Sequence, residues 1–466
     1  MKRMKFALLG TVALTLFVQP ADADTLQDAM ALAYQGNPNL LAARAQLRAT
    51  DESVPIALSG WRPTLTVGGQ IQRARSENRI FAGGGVGQVV TGGITQRTSE
   101  AVQVQFTQPI FRGFRTIAQT AQARNQVAAQ QARLQSTEAQ VLLNVATAYL
   151  DVLQNQAVVE LRMNNVQVLS RQLDATNDRF RVGEITRTDV AQSEANLAGA
   201  RAELVLAEGV LQQARSTYQN IVGKAPENLE RPDLPGLLPE SLQDAIDVAM
   251  RSNPNFLAAD YTALAAEESI TLARGDLLPS INVVGTYSKG WNTVADKSRS
   301  ENASAVAQVS VPIYQAGAEY ARLRQSKHTA GQQRLLADQA RLDARNFATT
   351  AWENLQASSA SIESFRSQVS ANEIALEGVQ REAEVGARTV LDVLEEEQRL
   401  LNSRVNLVRS QRDQVVAAYQ VLTAMGRLTG ADMNLDVAVY DPGAHLRDVE
   451  YQAFGTDAGA GTDASR

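Results

Sequence analysis

Cysteine is absent from all 466 residues of this chain. That excludes disulfide frameworks, thiolate metal sites and cysteine nucleophiles, and leaves no N-terminal cysteine to carry a lipid. Histidine is scarce: His328 and His445 lie far apart and without metal-ligand spacing, so neither a metal nor a cofactor is expected. Clustered bases are also lacking. The formal net charge is −6, and an acidic chain without a basic stripe is a poor nucleic-acid binder. No phosphate-binding loop is present, so the chain draws no energy from a nucleotide. Beyond Val18, no apolar run approaches the ~20 residues of a transmembrane helix. If this chain crosses a membrane, it does so with strands.

The single long apolar run is N-terminal. Lys2, Arg3 and Lys5 precede Phe6 to Val18, and Ala21-Asp22-Ala23 follows with small residues suited to a cleavage site. About 13 residues is short for a membrane anchor, so residues 1–23 read as an export signal. Losing its three cations and one anion takes the net charge from −6 to about −8.

What the chain does have is the same pattern twice. Thr25-Leu-Gln-Asp-Ala, followed by Asn37-Pro-Asn, returns as Ser241-Leu-Gln-Asp-Ala, followed by Asn253-Pro-Asn. Residues 25–72 match 241–288 without a gap at about 18 of 48 positions. The offset is 216 there and 203 further along, where Gln108-Pro109 falls on Val311-Pro312 and Val182-Gly183 on Val385-Gly386. An insertion of 13 residues therefore lies in repeat one between residues 72 and 108. A unit of about 200 residues is too large for a solenoid repeat.

Proline is missing between Pro109 and Pro226 and again between Pro312 and Pro442. Both spans are rich in helix formers. Gly113 to Arg181 predicts one helix of nearly 70 residues, about 100 Å long. Its apolar positions, Val127, Leu134, Val141, Val145, Tyr149 and Val152 among them, make a coiled-coil-like stripe. Val182-Gly183 interrupts it, and a second helix runs to about Val222. Repeat two predicts the same: Ala318 to about Ala383, a break at Val385-Gly386, then a helix to about Met425. Each repeat opens with a helix of about 34 residues, 25–58 and 241–274. Opening and post-glycine helices, stacked end to end, match the long one in length and would bury stripes that none buries alone.

Between opening and long helices the pattern alternates. Residues 61–72 and 101–107, then 280–288 and 303–311, predict four strands of about 9–11 residues, the length of a tilted transmembrane strand. Loops are expected at 73–98 and 289–302. Alternation alone favours two soluble hairpins; strand length and the export signal shift the reading to a membrane. Four strands cannot close a barrel, so a membrane reading requires an oligomer. The domains expected are the signal 1–23, repeat one 24–223 with a hairpin at about 61–109, and a proline-rich linker 224–240. Repeat two, 241–430, carries a hairpin at about 279–312, and a tail 431–466 ends in a disordered stretch from Phe454.

The paired openings and the stretch Val385-Gly-Ala-Arg-Thr-Val-Leu-Asp-Val-Leu394 resemble the TolC family of outer-membrane efflux proteins, over about residues 25–430. The resemblance implies a mainly α fold with membrane β: a homotrimer pooling four strands per chain into a twelve-stranded barrel, continuous with an α-helical periplasmic barrel. It implies a passive export duct in the outer membrane of a Gram-negative bacterium. Its partners would be outer-membrane lipid, a periplasmic adaptor, and an inner-membrane pump of resistance-nodulation-division or ABC type. Val182, Gly183, Val385 and Gly386 would be adaptor-docking tips. Glu184 and Ala387 depart from the family, which has a larger apolar residue or a threonine there.

Asp392 and Glu395, three apart, share a helix face. The resemblance makes them pore-constriction rings. Carboxylates ~6 Å apart repel by about 3 kcal/mol per pair at an effective dielectric of 20, and an entering cation relieves this. Spacing supplies a second reading: Thr389-Val-Leu-Asp392 and Thr186-Arg-Thr-Asp189 both fit a helix-capping box. Glu396 and Glu397 read as solvated flank. Arg388 sits in a first helical turn, where the dipole disfavours a cation. By resemblance it would reach Thr188 and Asp189 of the other repeat's tip and hold the aperture shut. Trp61, Tyr287 and Trp291 suit either interfacial girdles or packing against the helical neck. Two rivals remain: an exported coiled-coil scaffold without a barrel, and an enzyme using paired acids, which only the abundance of Asp and Glu supports.

Overall fold

The computed structural model describes residues 25–82 and 89–456. The export signal, the Gly83-Gly-Gly85 stretch with the three residues after it, and the last ten residues of the tail lie outside them. Repeat one comprises α1 (Leu26–Gly36), α2 (Pro38–Asp51), α3 (Ser53–Leu58), β1 (Thr64–Ala82), β2 (Val89–Arg112), α4 (Arg115–Arg181) and α5 (Arg187–Val222). Repeat two comprises α6 (Leu242–Ser252), α7 (Pro254–Gly275), β3 (Ser280–Trp291), β4 (Arg299–Ser310), α8 (Ala318–Glu384) and α9 (Val390–Ala424), and α10 (Ala444–Val449) follows.

The two long helices each have 67 residues, which makes them about 100 Å long at 1.5 Å per residue. α5 and α7 pack along α4, and α7 and α9 along α8. The opening helices are not continuous as expected; each breaks at its Asn-Pro pair. Asn37 and Asn253 leave the helical region to become N-caps of the segments that Pro38 and Pro254 begin. These asparagines also make the end-to-end joints. Asn37 donates to the carbonyl of Ile221 at the end of α5 (3.2 Å), and Asn253 to that of Ala424 at the end of α9 (2.9 Å). One amide thus caps a starting helix with its oxygen and satisfies a finishing helix with its nitrogen.

The main core lies around these joints, where Tyr34, Leu142, Val145, Tyr149, Tyr218 and Leu422 are buried. A smaller apolar cluster further down, Leu169, Leu197, Ala200, Val390 and Leu394, ties α4 and α5 to α9. It packs the start of α9 against α4 and against α5, whose own contributions, Leu197 and Ala200, lie well inside that helix.

The strands form one antiparallel sheet in the order β1-β2-β3-β4. β1 and β2 are 19 and 24 residues long, against 12 each for β3 and β4. The loop expected over 73–98 is therefore mostly strand: pairing continues from Arg73 opposite Thr98 to Ala82 opposite Val89. The insertion in repeat one lengthens a ladder. Arg97 braces the extension by donating to the carbonyl of Thr293 in the β3–β4 turn (3.1 Å).

Candidate functional site: a two-faced sheet and a pair of helical tips

Register separates the sheet into a largely apolar and a largely polar face, with Ala101, Val284 and Val306 the apolar exceptions on the polar one. One face carries Leu65, Val67, Gly69 and Ile71 of β1, next to Phe106, Val104 and Val102 of β2. It continues through Gly285 and Tyr287 of β3 to Ala305 and Ala303 of β4. The opposite face carries Thr64, Thr66, Gln70, Gln103, Gln105, Thr286, Ser288, Asn302 and Ser304. The apolar side is open: Ile71 is 78% exposed and Val67 71%. At its helical end it is bordered by exposed Trp61, Ile110, Phe114, Ile313 and Tyr314, with Phe111 edge-on to Phe114 at 5.2 Å. From Ala303 to Val311, one residue past β4, is about 27 Å of extended chain, or about 21 Å of height at a 40° tilt, most of an outer-membrane apolar band. Among the described residues no helix is long and apolar enough to cross a membrane. Trp61 borders the band at its helical end; Tyr287 and Trp291 lie towards the far end.

At the other end of the molecule the long helices stop in matching ways. Gly183 (φ 81°) and Gly386 (φ 78°) take the left-handed conformation that glycine adopts at no steric cost. Glu184 N–H donates to the carbonyl of Arg179 (3.0 Å) and Gly183 N–H to that of Phe180 (3.0 Å). Ala387 and Gly386 repeat this on Glu382 and Ala383 at 2.8 and 3.2 Å. Each is a Schellman stop, which usually adds an apolar contact between its third-last helical residue and the residue after the glycine. Here Arg179 and Glu184 form an ion pair at 3.1 Å instead. Glu184 thus supplies a charge where this motif usually places an apolar side chain. Val182 and Val385 are 72% and 80% exposed, capping each tip with an apolar side chain.

Both capping boxes are formed. Thr389 N–H and hydroxyl donate to one oxygen of Asp392 (2.8 Å each), and Asp392 N–H returns to the Thr389 hydroxyl (3.2 Å). Thr186 and Asp189 reproduce it with 2.8, 2.8 and 3.4 Å. The Thr389 backbone amide above all, then its hydroxyl, holds the Asp392 carboxyl below the usual carboxylate range. The Thr186 hydroxyl, then its amide, does the same for Asp189.

Arg388 donates to Glu382 across its own tip (2.8 Å), and that bond, with the carboxylate's charge, raises its pKa. Within one chain it therefore bonds to Glu382 rather than to Thr188 or Asp189; Thr188 is exposed. Glu395 is exposed, 3.8 Å from Arg399, and lines a cleft of about 450 Å³ with Arg162, Asn165 and Glu203 of α4 and α5. Glu396 is not solvated flank. It is buried and paired with Arg399 at 2.9 Å, because it follows Val393 by three and precedes Leu400 by four on the stripe facing α4 and α8. Burial likewise pushes up the carboxyl of Glu397, which accepts from Gln380 (3.3 Å). Among the described residues no group of acids and histidines could hold a metal.

The model of the outer membrane efflux protein family matches residues 29–224 and 245–427, one span in each repeat. The chain belongs to that family. It is 36% identical to the outer membrane efflux protein BepC of Brucella suis over 96% of this chain and 94% of that one. To the outer membrane protein TolC of Vibrio cholerae it is 27% identical, covering 92% and 95%. The solved CmeC outer membrane channel of Campylobacter jejuni superposes with a TM-score of 0.76 at 13% identity, covering 91% of this chain and 89% of that one. The chain is thus an outer-membrane export duct of a Gram-negative bacterium, with its helices extending into the periplasm.

Proposed function

We propose that three copies close their sheets into a twelve-stranded barrel continuous with a hollow helical stalk, and that this duct conducts substrates passively. The observation that carries this reading is the two-faced sheet. Its apolar side and both edge strands, β1 and β4, lack any cover in one chain. Lipid covers the first, and pairing of β4 with β1 of the next copy satisfies the second. Polar residues then line the lumen.

The duct performs no chemistry of its own. A periplasmic adaptor docks on the tips at Val182-Gly183 and Val385-Gly386, and an inner-membrane pump, of resistance-nodulation-division or ABC type, supplies the energy. Arg388 belongs to the gate with Thr188 and Asp189. In the resting trimer it exchanges Glu382 for the neighbouring tip, and the small cluster around Val390 and Leu394 keeps those tips within reach. Asp392 and Glu395 form acidic rings at the constriction. The capping box engages only one oxygen of Asp392, so capping and pore lining coexist. The domain limits follow from this assembly: a removable signal 1–23, repeats 24–223 and 241–430, the strap 224–240 between them, and the tail 431–466.

Reconstitution into planar bilayers tests the reading. Purified protein should migrate as a heat-resistant trimer and give discrete, cation-preferring conductance steps. A detergent-independent monomer that leaves bilayers silent would overturn it.

A further inference from the structure

Where the apolar face of the sheet ends, away from the helices, all four strands turn charged along one slanting line. The first residues beyond the band on that face are Arg73, Glu100, Lys289 and Glu301. Two cations alternate with two anions, so the tier's net charge is zero. Glu301 accepts from Tyr287 (2.6 Å) and lies 3.7 Å from Lys289, although Arg73 and Glu100 form no ion pair among the described residues. The next residues outward on the same face are Arg75, Thr98, Trp291 and Arg299. This second tier holds two arginines, an indole and no acid. Arg75 and Arg299 are both exposed, and neither makes an ion pair among the described residues. The only acid one step further out on β1, Glu77, already has a partner.

The tier's height and its edges decide what it meets. Two residues along a strand advance about 6.6 Å, so Arg75 and Arg299 stand just above the apolar band, at the depth of lipid headgroups. Trp291 beside them suits the same layer. Arg75 lies on the β1 edge and Arg299 on the β4 edge, the two that adjoin when copies close into a ring. An unopposed pair of guanidiniums flanked by an indole at headgroup depth matches a phosphate, which arginine binds with two parallel N–H donors.

We propose that each seam between copies binds a phosphate of the phosphorylated glycolipid that forms the outer leaflet, through Arg75 of one copy and Arg299 of the next. This rests on the trimeric barrel proposed above. The site anchors the barrel's depth and staples its seams from outside, where β4–β1 pairing alone joins the copies.

Native mass spectrometry of the purified trimer tests the proposal, with conductance measured in parallel. The probes are bisphosphorylated lipid A, the same lipid dephosphorylated, phosphatidylglycerol and inorganic phosphate. The wild-type trimer should retain up to three bisphosphorylated lipids, and removing the phosphates should abolish retention. Arg75→Gln with Arg299→Gln should weaken it about thirty-fold, taking the ordinary contribution of a basic side chain near an anionic surface twice. Arg73→Gln, in the balanced tier, should change it far less, and the lysine pair Arg75→Lys with Arg299→Lys should keep most of it. Equal retention of the dephosphorylated lipid, of phosphatidylglycerol, or by the glutamine pair would overturn the site. So would displacement by millimolar inorganic phosphate, which would mark a free-anion site. A protein that forms neither trimers nor channels fails earlier, and overturns the barrel together with the seam.

Discussion

The long helices α4 and α8 have equal length and equivalent ends, yet they bury different things. α4 buries Leu142, Val145, Tyr149 and Val152; α8 buries mainly alanines, Ala337, Ala344, Ala348 and Ala351 among them. On α8 several large apolar side chains are exposed, Leu335 by 70% and Leu342 by 60%, while Leu355 and Ile362 are buried. The main core draws on both repeats, through α4 of the first and α9 of the second, whereas α8 leaves much of its apolar surface uncovered. Duplication gave two units of one architecture, and in the trimer proposed above the uncovered side of α8 would face a neighbouring copy. The hairpins differ in the same spirit. Repeat one's extends well past bilayer height, while repeat two's ends at the headgroup tier.

Breaking that comparison gives the largest effects. Tyr149 is fully buried and donates its hydroxyl to the carbonyl of Glu230 (2.6 Å). Tyr149→Ala should cost about 3–5 kcal/mol and lower the denaturation midpoint of the chain itself. Leu335→Glu with Leu342→Glu should leave that chain's helical circular dichroism intact and abolish the heat-resistant trimer, since a charge buried in an apolar contact costs several kcal/mol. A stable trimer in the glutamate pair would mean that α8 faces water, and the contrast between the repeats would lose its meaning.

The next comparison is at the strand-to-helix junctions. Repeat one places two left-handed residues there, Gly113 and Phe114, and repeat two places Ala316 and Gly317 at the equivalent sites. The glycine has changed position. A Cβ on Gly113 would come within 2.5 Å of the Gly275 carbonyl, whereas one on Gly317 would meet nothing within 4 Å. Gly317→Ala should cost only left-handed strain, about 1–2 kcal/mol. Gly113→Ala adds a backbone collision and should at least double that loss in a thermal melt. Equal losses would show that the neck relaxes around residue 113.

Much of this was legible in the sequence, for physical reasons. Proline-free spans and glycine stops set both ends of α4 and α8 to within about two residues, because backbone chemistry decides them. The opening helices were misjudged: a good N-cap followed by proline starts a new helix, and Asn37 and Asn253 each carry that signal. The extended hairpin was hidden. A strand beyond the bilayer has no apolar face, so Arg73-Ala-Arg-Ser-Glu77 reads as loop. Glu396 was legible in retrospect from its place on the Val393–Leu400 stripe. Arg388's bond to Glu382 was not, since spacing in the sequence does not say which carboxylate an exposed arginine meets across a glycine stop.

At the tips, Arg388→Ser should open the resting channel and raise its conductance several-fold in planar bilayers. Glu382→Gln separates the two partnerships. If Arg388 leaves Glu382 to close the aperture, releasing it should favour the closed state, and conductance should stay low or fall. Should Glu382→Gln open the channel as Arg388→Ser does, the intratip pair is itself the latch.

The smallest effect is the most discriminating. Asp189 and Asp392 cap equivalent helices with nearly identical bonds, so Asp189→Asn and Asp392→Asn should weaken the two helix starts about equally. Only Asp392→Asn should lower cation preference, measured as reversal potential across a salt gradient, if Asp392 lines the pore and Asp189 does not. Both carboxyls titrate below the ordinary value of 3.8. The stabilisation they give is therefore present at all higher pH and is lost only as pH falls through the lowered value. Selectivity and tip stability should accordingly be flat between about pH 7 and pH 5 and decline together only below about 3.8. A selectivity that fades nearer neutrality would point to Glu397, whose carboxyl burial pushes up, rather than to Asp392.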